Sequence, residues 1–105
     1  MMVRVWEYEV AAGSVAEFES AYGADGDWAQ LFASEPGFRG TTLYRSVSAP
    51  GRYLTVDLFT DGAAWERLLR NRGDAYERLD ARTAHLTSRE TELVAADTGA
   101  GGGSR

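Results

Sequence analysis

The chain predicts an α+β fold of the ferredoxin-like kind, β-α-β-β-α-β, with an antiparallel sheet covered by helices on one face. Three observations predict it. Residues 52–69, RYLTVDLFTDGAAWERLL, read as a strand that turns directly into an amphipathic helix. The first 22 residues read as a second such strand–helix unit. Between the two units, Pro50 and Gly51 join two β-like stretches in a hairpin. This order is the split βαβ arrangement.

Taken in order, residues 2–11 alternate as a strand, with Met2, Arg4, Trp6, Tyr8 and Val10 on one face and Val3, Val5, Glu7 and Glu9 on the other. Ser14 and Glu17 have the spacing of a capping box ahead of the helix face Val15, Phe18 and Tyr22. Gly23–Asp27 is a turn, after which Trp28, Leu31 and Phe32 resume helical spacing with Asp27 as the expected N-cap. Pro36 ends this helical region. Residues 38–49 form the second strand. The third strand, Tyr53 to Phe59, is apolar enough that both of its faces are expected to be covered. Asp61 caps the next helix, where Ala64, Trp65, Leu68 and Leu69 recur at helical spacing. A break is expected at Gly73, with a continuation capped by Asp74. Residues 87–96 alternate poorly and read as an edge strand. The domain therefore spans 1–96, and the Gly-rich 97–105 reads as a disordered tail. The uncovered sheet face, with Val3, Val5, Leu43 and Val56 as candidates, calls for a second copy. The expected partner is a homodimer formed through the sheet face.

Composition narrows the function. The chain of 105 residues holds one domain, and without cysteine it has neither a disulfide frame nor thiolate chemistry. A net charge of −5, with arginines scattered among acids, argues against nucleic acid as a partner. No apolar run approaches the ~20 residues of a membrane span, and the N-terminus reads as a strand and not a signal peptide, so a cytoplasmic protein is expected. No dinucleotide, P-loop, nucleophile-elbow or zinc-protease motif is present.

The opening VWEYEVAAGSVAEFESAYG, the segment EPGFRGTTLYR and the strand–helix stretch YLTVDLFTDGAAWERLL resemble the antibiotic biosynthesis monooxygenase-like domain over residues 2 to 95. The resemblance implies a dimeric α+β barrel. It also implies either cofactor-independent oxygenation of aromatic polyketides or haem degradation, the two activities found among members. Polyketide-type members use an Asn and a Trp on the strand before the second helix, and an aromatic on that helix. The matching positions hold Thr55, Phe59 and Trp65. Haem-degrading members use a strand Asn, a helix Trp and a helix His. Trp6 and Leu68 stand at the first two positions, and His85 lies beyond the third.

The candidate catalytic residues are His85, Asp57 and Trp65. His85 is the sole imidazole and has the side chain suited to exchange protons near neutrality, unless it is a surface residue at a helix end. Asp57, among apolar neighbours, must pair with an Arg such as Arg45 or Arg89, or line a cavity. Candidate substrate-binding residues are the aromatics Trp6, Trp28, Tyr44, Phe59 and Tyr76, which either wall a pocket or fill the core. Arg78 joins them by resemblance, at a position thought to contact a polar substrate group. A lone His makes a poor metal site, so no metal is expected. The enzyme reading is a monooxygenase that needs no cofactor and acts on a polyketide-like phenol. The alternative is a non-catalytic small-molecule-binding or interaction dimer on the same fold.

Overall fold

A computed structural model describes residues 1–98. The elements are β1 (Met2–Val10), α1 (Val15–Tyr22), α2 (Asp27–Phe32), β2 (Phe38–Arg45), β3 (Arg52–Phe59), α3 (Gly62–Thr83) and β4 (Thr87–Asp97), with a 3-10 turn at Ala84–Leu86 before β4. The four strands form one antiparallel sheet in the order β2-β3-β1-β4. This is the expected ferredoxin-like arrangement, with β4 at an edge. Among the described residues no helix is long and apolar enough to cross a membrane.

Alternation along β3 places the core. Tyr53, Thr55, Asp57 and Phe59 are buried beneath the helices, while Leu54, Val56 and Leu58 are half-buried on the other face. Opposite them on β1, Tyr8, Trp6, Arg4 and Met2 share the helix-covered face. Phe18, Phe59, Leu68 and Leu86 are the largest side chains sealed completely from solvent.

The hairpin turn is built as expected. Arg52 N donates to Ala49 O at 3.1 Å across Pro50–Gly51, and Gly51 has the positive φ of 81° that this turn needs. In β2 a bulge between Phe38 and Gly40 changes the phase of the strand. Phe38 pairs with Phe59 and faces the core, but so do Thr41 and Leu43, which pair with Asp57 and Thr55. Leu43 is therefore on the helix-covered face and not the open one. A second irregularity, between Val5 and Trp6, explains the poor alternation of β4. Glu92 pairs with Trp6 on the helix side, and Val94 with Val5 on the far side, with Leu93 between them.

Helix ends show where local signals were overridden. Asp61 caps α3 as expected, its Oδ1 accepting from Ala64 N at 2.9 Å. Ser14 stands at the N-cap of α1, but its side chain makes no capping bond, because its backbone (φ −107°, ψ 8°) leaves the extended region that a cap uses. The N-cap of α2 is Gly26; Asp27 is the first helical residue and meets Arg82 at 3.4 Å. The break expected at Gly73 is a kink within one helix, centred on Arg72. β4 runs to Asp97, and Thr98 N donates to Met1 O at 3.1 Å, so the chain stays attached to the sheet two residues past the expected domain end. The rest of the expected tail, 99–105, lies outside the described residues.

Candidate functional site

Between the helices and the covered face of the sheet lies a cleft. Counted out to its mouth it encloses about 420 Å³, but the centres of water molecules have only about 40 Å³ in which to move. The smaller figure measures usable depth, so the cleft is a narrow slot that holds a few waters as it stands. Its walls are flat. Trp6 and Tyr8 come from β1, Tyr22 from α1, Trp28 and Phe32 from α2, and Tyr76 from α3. These rings also pack on one another: Tyr76 meets Trp28 edge-on at 5.0 Å between centroids, and Tyr8 meets Tyr22 at 5.0 Å.

The polar floor comes from the sheet. Asp57 is 5% exposed, and its Oδ1 accepts from the Thr41 hydroxyl at 2.7 Å. Burial pushes its pKa up; the Thr41 hydrogen bond and the positive charge of Arg4 oppose that rise. Arg4, directly across from Asp57 in the register, is 7% exposed. Its guanidinium lies 3.8 Å from the centroid of the Trp65 ring and 5.8 Å from that of Trp6. Its one ion pair, to Glu92 on β4, is long at 3.4 Å. Tyr8 and Thr55 join hydroxyls at 2.9 Å beside them. The cleft phenols are held neutral: burial raises Tyr8 and Tyr76, and pushes Tyr22 up to about 12. Among the described residues Trp28 Nε1 is buried without a partner in hydrogen-bonding geometry, though it lies near enough to the Tyr22 phenol to oppose the rise in its pKa.

The structure brings Trp6, Trp28, Asp57 and Tyr76 to this cleft. Phe59 and Trp65 sit behind its wall, 5.5 Å apart edge-to-face, and Trp65 reaches the site through Arg4. Three expected residues lie elsewhere. Tyr44 is 55% exposed on the open sheet face opposite Leu54, turned there by the bulge at Gly40. Arg78 is exposed on the outer side of α3, in a shallow groove with Asp27 and Arg72. His85 has a side chain 61% exposed in the turn after α3, with Nε2 3.5 Å from Glu17 Oε2, and does not line the cleft. Asp57 pairs with neither Arg45 nor Arg89, which meet Glu19 and Glu9. Sequence reasoning missed Arg4 and Thr41 as parts of the site, and reached Thr55 only through the family resemblance. The available signal was the in-phase series Arg4, Trp6 and Tyr8 on one strand face.

A second polar cluster is structural. The Glu35 side chain is almost fully enclosed and accepts from Gly37 N at 2.8 Å and from two Arg67 nitrogens at 2.9 and 3.4 Å. The Arg67 hydrogen bonds, and then that of Gly37, hold its pKa below the usual carboxylate range. Among the described residues no group of three His, Asp or Glu side chains is placed to hold a metal ion.

A four-stranded antiparallel sheet with helices over one face and an aromatic-walled cleft between them defines a ferredoxin-like α+β protein. The chain belongs to the antibiotic biosynthesis monooxygenase family, whose model matches residues 1–92. Among solved structures it is similar to SnoaB, a cofactor-independent oxygenase from Streptomyces nogalater, with 26% identity and a TM-score of 0.69 over 94% of this chain and 96% of that one. It shares its fold with PA3566 from Pseudomonas aeruginosa (15% identity, TM-score 0.61, 88% and 90% of the two chains). The same holds for a MhuD mutant with two manganese protoporphyrin IX molecules bound per active site (23% identity, TM-score 0.60, 89% and 90%). A search of curated protein sequences finds no match.

Proposed function

We propose that the protein is a cofactor-independent monooxygenase acting on a polyketide-like aromatic phenol, with Asp57 as the base. The observation that carries this reading is the buried carboxylate on the floor of an aromatic slot. Burial raises its pKa above that of an ordinary carboxylate, which makes it the stronger base. Family membership and the likeness to SnoaB support the oxygenase class. His85, which faces solvent beside Glu17, has no path to a ligand in the cleft, so we assign the proton to Asp57.

The substrate is a phenol fused to a ring that bears a CH2 across from a carbonyl and conjugated to it through the flanking aromatic rings. Asp57 takes a proton and leaves an electron-rich carbanion. That carbon forms a bond to oxygen, one oxygen atom remains as a new carbonyl, and the other departs as water with the two substrate hydrogens. As it stands the slot has room for a few waters, so the walls must part for a ring to enter between them, with the remainder of a polycycle at the mouth. Haem suits the donor set poorly. The sole His lies outside the cleft, the chain has no Cys, and the cleft tyrosines are held protonated.

The test is oxygen uptake with dithranol, a dihydroxyanthrone, using protein dialysed against chelator. We expect one oxygen consumed per substrate and quinone formed, above the uncatalysed rate. Uptake no faster than in buffer, across a panel of hydroxyanthrones and hydroxynaphthalenes, contradicts the reading. We also propose that the open sheet face, with Val3, Val5, Leu54, Val56 and Leu58, pairs with a second copy.

A further inference from the structure

We propose that Arg4 holds the ionised oxygen of the ligand, so that the cleft selects planar molecules carrying an acidic hydroxyl over neutral rings of the same shape. This rests on the reading that an aromatic ligand occupies the cleft, and it names the residue that determines which one.

The argument begins with a buried charge that is poorly compensated. A guanidinium 7% exposed needs counter-charge and hydrogen-bond acceptors. Among the described residues its one ion pair is to Glu92, at 3.4 Å, a carboxylate 43% exposed and so screened by water, and the Tyr76 hydroxyl beside it is neutral and adds no counter-charge. Asp57 stands directly opposite on the neighbouring strand, on the same face, yet the two make no ion pair. Thr41 instead occupies the Asp57 carboxylate. The flat face of the guanidinium is held by Trp65, which fixes the plane and leaves the N–H edge for an acceptor. The same cleft contains a second unmet donor, Trp28 Nε1. An acceptor-rich ligand would meet both of these donors. A phenol lying beside Arg4 gives its proton to water and leaves its anion against the guanidinium, while the Asp57 carboxylate stays available as the base toward carbon. The bond broken is phenolic O–H, the bond formed is O–H of hydronium, and no electron is transferred.

The probe is para-nitrophenol, whose phenolate absorbs in the visible, with para-nitrotoluene as a neutral ring of similar shape. The groups facing the guanidinium are Asp57 from β3, Tyr8 from its own strand, Tyr22 from α1, Tyr76 and Asp80 from α3, and Glu92 from β4. Burial raises the pKa of Tyr8, Tyr22 and Tyr76 above that of a free phenol, so these groups stay protonated while the probe titrates near neutrality. In the unaltered protein the bound phenol should ionise with a constant raised about tenfold over the free probe. Arg4→Met should abolish that gain and weaken nitrophenol binding about tenfold, while nitrotoluene binding holds. Arg4→Lys should fall between, and Asp57→Asn should favour the phenolate further. Failure of nitrophenol to bind, an ionisation equal to or weaker than that of the free probe, or Arg4→Met binding it as well as the unaltered protein would each overturn the proposal. If Arg4→Met does not fold, the shift in the unaltered protein decides alone. Oxygen uptake is scored separately. Phenolate binding without uptake removes the oxygenase reading and leaves Arg4 its role; uptake without an Arg4-dependent shift does the reverse.

Discussion

At position 57 a carboxylate sits where burial favours its neutral form, and this has a consequence for stability. A carboxyl whose pKa is raised on folding contributes stability below its unfolded pKa and loses it as pH rises through the folded value. Asp57 therefore costs stability at neutral pH, and Asp57→Asn removes that cost. We expect the Asn variant to melt above the unaltered protein at pH 7 and level with it near pH 3. A difference of ~1 kcal/mol moves the midpoint of a domain this size by about 4–8 °C. Glu35 has the opposite sign: its depressed pKa gives stability that is present above the unfolded value and lost as pH falls through the folded one. Single residues were unevenly legible. Asp57 stood out because a carboxylate inside an apolar strand demands an explanation. Arg4 did not, because an Arg early in a strand reads as a solvent-reaching end until the Trp65 face is seen beneath it. His85 was chosen for its chemistry, and chemistry says nothing about which side of a turn a side chain leaves.

The elements carry the next level, and the join between α2 and β2 is the most constrained. A side chain at Gly37 would put its Cβ 2.5 Å from Ala64 Cβ and 2.7 Å from Thr60 Oγ1, so the chain can pass only as glycine. Glu35 clamps the same bend to α3 through Arg67. Gly37→Ala should therefore cost ~1–3 kcal/mol in urea unfolding with an unchanged slope. An unaffected midpoint would mean that the bend relaxes freely. Element types were readable throughout, because β3 is a short run of apolar and β-compatible residues and α3 carries both its cap and its apolar stripe. Side-chain phase was not readable in β2. One bulge at Gly40, with φ 128°, exchanges the faces of everything after it, and so Tyr44 points away from the cleft and Leu43 into the core. Bulges depend on pairing between strands, which a single stretch of sequence does not encode.

For the whole molecule the open question of packing is the far side of the sheet. Val3, Val5, Leu54, Val56 and Leu58 are only half-covered there, Val94 is 41% exposed, and the long edge of β4 is exposed. An apolar sheet face of this kind is covered in a stable assembly. Light scattering at micromolar concentration should give twice the chain mass, and Val56→Asp should give the single chain with its helices intact. A monomer for the unaltered protein contradicts the dimer. The fold itself followed from the order of elements, since few topologies satisfy two strand–helix units joined by one hairpin. The cleft did not, because its lining comes from six separate elements. The most direct measurement compares dithranol oxygenation by Asp57→Asn and His85→Ala with that of the unaltered protein. Loss of a positioned base costs about 10²- to 10⁴-fold. The account predicts a fall of that size for Asp57→Asn and an unchanged rate for His85→Ala. The reverse pattern would contradict it.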